Sequence, residues 1–68
     1  MELQKKIGEN LKKFREKKEL TQAEIARAAD INTNYYAKIE RGEANASTEM
    51  LQKLTKVLKI KSSDIFPF

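Results

Sequence analysis

Thr33, Asn34, Ala37, Lys38 and Arg41 recur at spacings of 1, 3 and 4, which gathers them on one side of a helix. That side offers hydroxyl, amide, ammonium and guanidinium groups around one small residue, and no carboxylate. A short helix exposing such a face has what reading base edges in a DNA major groove requires. Bond-making chemistry finds far less. The sequence has no Cys and no His, so the thiol nucleophile and the commonest general base are missing. No glycine-rich phosphate loop occurs, the carboxylates fit helix caps and ion pairs, and a zinc site lacks its usual ligands. The expectation is a binding protein, not an enzyme, with no metal, cofactor or small-molecule ligand.

A reading face needs a rigid mount, and the flanking sequence supplies short helices. Leu3, Ile7, Leu11 and Phe14 fall at intervals of 4, 4 and 3, predicting an amphipathic helix over about 2–18 with its lysines off the apolar stripe. Thr21 and Glu24 have capping-box spacing, and Leu20 and Ile25 flank the cap as a staple. A second helix therefore starts at Gln22 and runs to about Ala29. Asn32 is a good N-cap, and Ile31 with Tyr36 repeats the staple spacing. The third helix spans about 33–41 and ends at Gly42, suited to a left-handed backbone. Only about three residues separate these two helices, so they cross at a large angle. On the third, spacing turns Tyr36 and Ile39 inward and leaves Tyr35 at the rim; a pair of core tyrosines is the alternative. After a loop at 43–46, Ser47 or Thr48 caps a fourth helix with the stripe Leu51, Leu54 and Leu58. Ser62 or Ser63 opens a last turn that Pro67 blocks. The fold class is all-α, five short helices in a single domain over 1–68.

Thr21-Gln22-Ala23-Glu24-Ile25-Ala26, with Ile31, Asn32, Ile39, Glu40, Arg41 and Gly42 behind it, resembles the helix-turn-helix of phage lambda repressor/Cro-like (XRE-type) transcription regulators. Ile7-Gly8 and Arg15 match that family's first helix; Leu51, Leu54, Leu58 and Ile60 match its fourth, and Asp64-Ile65-Phe66 its closing turn. The resemblance implies a lambda repressor-like domain that binds double-stranded DNA sequence-specifically. It further implies that Gln22 bonds a phosphate and braces the recognition helix, that Thr33, Asn34, Ala37 and Lys38 line base edges, and that Tyr35 and Arg41 approach backbone phosphates. These roles agree with chemistry: helix N-termini suit phosphate, Asn pairs with adenine, Lys reaches guanine, and methyls touch thymine. Taken alone, Gln22 reads as a solvated residue at a helix start, and Asn34 and Lys38 as ordinary surface residues. The resemblance also implies a structural ion pair, Arg15 with Glu40, bridging the first helix to the end of the third.

Three features depart from the family pattern. Asp30 replaces the usual turn glycine, and Asp tolerates a left-handed backbone better than most residues. Glu43 stands in a loop that often approaches phosphate, where a carboxylate repels the backbone unless it points away. The net charge of +4 is also unevenly spread: 1–20 carries 7 bases and 4 acids, 21–46 carries 3 and 4, and 47–68 carries 4 and 2. Binding would rely on a few placed contacts rather than a basic cloak, with a shallow salt slope per monomer.

At 68 residues the chain buries only about 60% of its unfolded surface, and with no disulfide it needs tight helix packing or a second copy. Ile65, Phe66 and Phe68 crowd its end; one or two of them must complete the core, and Ile60, Ile65, Phe66 and Phe68 are expected to form a homodimer interface. Two recognition helices about 34 Å apart then read a pseudo-palindromic operator. No apolar run suits a signal-peptide core or a membrane span, which predicts a cytoplasmic protein. The competing function is a protein-interaction module of the same fold, such as an antitoxin or adaptor. The electrostatics around Lys38 and Arg41 discriminate between the two.

Overall fold

A computed structural model describes residues 2–67, and its regular elements are all helical: α1 Glu2–Lys17, α2 Gln22–Ala28, α3 Thr33–Arg41, α4 Thr48–Leu58 and α5 Ser62–Ile65. The helix starts follow from local chemistry. Thr21 Oγ1 accepts from the Glu24 N–H at 3.1 Å while Glu24 Oε1 accepts from the Thr21 N–H at 2.8 Å, the reciprocal box that its spacing predicts. Asn32 Oδ1 accepts from the N–H groups of Asn34 and Tyr35 at 2.7 and 3.3 Å. Ser47, rather than Thr48, caps α4 through the Met50 N–H at 3.1 Å. At the last helix the Lys61 N–H donates to the Asp64 carboxylate at 2.9 Å.

The helix ends share one device. Glu19, Asp30, Gly42 and Lys59 all have φ between 57 and 75°, so a left-handed residue follows α1, α2, α3 and α4 within two positions. Only one of the four is glycine. An L-residue held there gives up about 1–2 kcal/mol, which the packed helices on either side must offset.

Tyr36, Leu11, Ile25, Leu54, Leu58 and Ile65 are the largest fully buried side chains, and they draw the five helices around one centre. α1 lies against α3 and α5, α2 against α3 and α4, and α4 against α5. Two contacts seat α1. A Cβ at Gly8 would collide with the backbone carbonyls of Ile39 and Glu40, so only glycine lets α1 cross α3 this closely. Asn10 Nδ2 donates to the Ile65 carbonyl at 2.8 Å, tying α1 to α5.

The end of the chain differs in part from its expected role. Ile65 is fully buried and completes the core, so it offers no surface to a second copy. Its α5 turn is folded inward against α1 and α4, which a four-residue helix does with its sole buried side chain. Ile60 and Phe66 are half-buried against the core. Phe68 lies outside the described residues. Leu3 is the large apolar side chain left exposed among them, at 43%. No helix among the described residues is long and apolar enough to cross a membrane.

Candidate nucleic-acid interface

α3 is capped by Asn32 at one end and Gly42 at the other, and nine residues between them give it two distinct faces. Tyr36, Ala37, Ile39 and Glu40 are buried; Thr33, Asn34, Lys38 and Arg41 are exposed. Four of the five residues expected on the outer face therefore share it. Ala37 does not stand out with them: it is 8% exposed. Its single methyl carbon ends below the longer side chains of Thr33, Asn34 and Arg41, three or four positions away on the helix surface, so it floors the face. Tyr35 is half-buried at the rim and Tyr36 is fully inside, the first of the two arrangements the spacing allowed.

Behind this face sits a buried polar cluster. Arg15, reaching across from α1, donates from Nε to Glu40 Oε2 at 2.6 Å and from Nη2 to Oε1 at 3.2 Å. Its Nη1 donates to the Leu20 carbonyl at 2.7 Å, which also fixes the entrance to α2. The Arg15 and Glu40 side chains are 11% and 3% exposed. Gln22, the first residue of α2, donates from Nε2 to Glu40 Oε1 at 2.9 Å. One carboxylate thus joins α1, α2 and α3.

Burial pushes the Glu40 carboxyl up, but hydrogen bonds from Arg15 and Gln22 and the nearby Tyr36 hydroxyl outweigh it, leaving Glu40 below its ordinary value of 4.5. Hydrogen bonding to Glu40 raises Arg15 in turn. Tyr36 Oη acts on Glu40 at close range yet has no hydrogen bond of accepted geometry. Burial drives that phenol far above its usual range.

A polar cleft of about 640 Å³ opens between α1 and the end of α3, lined by Lys5, Lys12, Gln22, Arg41 and the acids Glu9, Glu40 and Glu43. At its mouth Arg41 and Glu43 form a two-point ion pair, Nε to Oε2 at 3.0 Å and Nη2 to Oε1 at 3.2 Å. Sequence reasoning placed Glu43 near the phosphate path but missed this pairing, because residues two apart face each other only where Gly42 reverses the chain. Gln22 was expected to brace the recognition helix, but Glu40 as its partner was not, because a contact between residues 18 apart leaves no mark in the spacing. Lys38 is exposed and takes part in no ion pair among the described residues. A second, apolar cleft of about 270 Å³ is bordered by Leu3, Ile7, Ile39, Ala44, Leu51 and Phe66.

A short helix with an outward donor face, locked from behind and joined to another short helix by a tight turn, defines a helix-turn-helix reading unit. Comparison with known proteins agrees. The family model described as helix-turn-helix matches residues 11–65, and the chain belongs to that family. It is 39% identical over 62 residues to control protein C.MunI of a Mycoplasma species, covering 90% of this chain and 84% of that protein. It is 34% identical over 59 residues to antitoxin PezA of Streptococcus pneumoniae, where 87% of this chain spans only 37% of the relative. The crystal structure of the restriction-modification controller protein C.AhdI from Aeromonas hydrophila matches with a TM-score of 0.88 at 31% identity, over 91% of this chain and 94% of that one. The chain is thus a DNA-binding transcription regulator of the XRE type, with the five-helix all-α fold that its sequence implies.

Proposed function

We propose that this chain is a sequence-specific regulator that lays α3 in the major groove and binds a pseudo-palindromic operator as a homodimer. One observation carries the reading. α3 has a single carboxylate, Glu40, and it is turned inward and neutralised by Arg15, so the outward side presents Thr33, Asn34, Lys38 and Arg41 alone. Thr33, Asn34 and Lys38 meet base edges over the floor made by Ala37. Gln22, Tyr35 and Arg41 meet phosphates on either side, and the N-termini of α2 and α3 add their partial positive charge. Gln22 spends one amide N–H on Glu40 and keeps the other for phosphate.

The dimer uses Ile60 and Phe66 and sets the two α3 helices about 34 Å apart. Sedimentation that finds only monomer even at high protein concentration removes the dimer from this reading. A cytoplasmic location accompanies the role.

Selection from random duplexes tests the whole. The expected product is an enriched pseudo-palindrome, and Asn34→Ala or Lys38→Ala relaxes selection at one position per half-site by about 1–3 kcal/mol. A second reading, binding to a partner protein, is favoured by the Arg41–Glu43 pair, which ties up one cation of the face. No enrichment at low salt would decide for it.

A further inference from the structure

We propose that Glu43 is an internal stand-in for a DNA phosphate, holding the Arg41 guanidinium in the free protein until a backbone phosphate displaces it. This rests on the DNA-binding reading. A carboxylate and a phosphate offer a guanidinium the same two-point geometry, and Glu43 fills both points, at 3.0 and 3.2 Å. The backbone prepares the contact. Gly42, at φ 75°, reverses the chain, and the Glu43 N–H donates to the Lys38 carbonyl at 2.8 Å, fixing the base of the side chain.

The pair is built to open. Its side chains are 54% and 56% exposed at the mouth of the polar cleft, whereas the same chemical pair made by Arg15 and Glu40 is sealed inside. The two arginines share a helix neighbourhood and have opposite duties: Arg15 holds its carboxylate permanently, Arg41 provisionally. Lys5, Lys12 and Gln22 border the same cleft and would receive the phosphate that replaces Glu43.

The consequence is a lower absolute affinity. Non-specific binding is almost all phosphate contact, while specific binding adds base contacts. A carboxylate that competes for a phosphate-binding arginine weakens both by the same factor, and complexes without base contacts have nothing else to make up the loss. Glu43 sets a threshold against indiscriminate duplexes.

The test is a double-substitution cycle of Glu43→Gln and Arg41→Ala, read by binding to an unrelated duplex across a salt series. Both positions are exposed, and unchanged thermal melting checks that all four proteins are folded. With Arg41 present, Glu43→Gln should raise affinity about two- to five-fold per subunit and steepen the log–log salt slope by up to about one. With Arg41 replaced by Ala, the gain from Glu43→Gln should shrink to the small part owed to Lys38 and the duplex backbone. Equal gains in both backgrounds make Glu43 a general repulsive charge and overturn the proposal, as does no gain in either. A measurement without DNA separates the premises: the Arg41 Nε–H resonance of the free protein should move on Glu43→Gln. If it does not, the pair does not form in solution and the proposal fails alone. If it moves but none of the four proteins binds any duplex at low salt, the DNA-binding reading fails and carries the proposal with it.

Discussion

Arg15→Ala is the sharpest perturbation the fold allows. It deletes three hydrogen bonds, two to Glu40 and one to the Leu20 carbonyl. What remains is a carboxylate 3% exposed, held among the described residues by the Gln22 amide. Removing one partner of a buried ion pair typically destabilises by about 3–5 kcal/mol, because the other charge stays buried without compensation. A 68-residue domain has only about 3–10 kcal/mol in total. At about 4–8 °C per kcal/mol, melting should fall by roughly 12–40 °C, and part of the population should be unfolded at room temperature. Urea unfolding followed by far-UV circular dichroism gives the number.

The companion variant, Arg15→Met with Glu40→Leu, removes both charges and keeps the volume apolar. It should return to within about 1 kcal/mol of the parent or exceed it. Acid supplies an independent check. Glu40 titrates below 4.5 in the folded protein, so its stabilisation is fully present above about pH 4.5 and is lost as pH falls through the folded value. The double variant should lack this component of acid unfolding. A loss below about 1 kcal/mol in Arg15→Ala, the range of an exposed pair, refutes the argument; so does a double variant as unstable as the single one.

Three further outcomes follow from the packing. Gly8→Ala drives a methyl into the Ile39 and Glu40 carbonyls and should destabilise by about 1–3 kcal/mol, while also weakening DNA binding, since those carbonyls belong to α3. Tyr36→Phe removes a buried hydroxyl that helps hold the Glu40 carboxylate ionised, so thermal melting should report a loss of about 1 kcal/mol; unchanged or higher stability would show that a hydroxyl without a well-formed hydrogen bond gives Glu40 nothing. Lys59→Gly relieves a left-handed residue at φ 58° and should raise stability by about 1 kcal/mol, read as a melting point about 4–8 °C higher.

Helix starts were the most legible part of this fold, because caps are local chemistry: Thr21, Asn32 and Ser47 each satisfy N–H groups two or three residues on. Helix ends were less so. Gly42 announces itself, whereas Glu19 and Lys59 take left-handed conformations that tertiary packing imposes and their residue types do not signal. The exposed or buried status of the reading face was readable from periodicity except at Ala37, where side-chain length rather than angle decides exposure. Contacts that depend on chain reversal or on three helices meeting, Arg41 with Glu43 and Gln22 with Glu40, have no periodic signature. Aromatic and branched residues near the end read alike as core or interface, and only the fold of α5 separates Ile65 from Phe66.

The inward lock on α3 has an evolutionary corollary. The features that fix the helix in place, namely Gly8, Arg15, Gln22, Glu40, the core side chains Tyr36 and Ile39 and the caps Asn32 and Gly42, lie behind it or at its ends, and among the described residues the side chains of Thr33, Asn34 and Lys38 make no hydrogen bond or ion pair. Those three positions can be rewritten with little effect on folding. Mutation can thus retarget such a domain through a series of stable intermediates, and three codons randomised together form a library in which nearly every member is soluble enough to be screened.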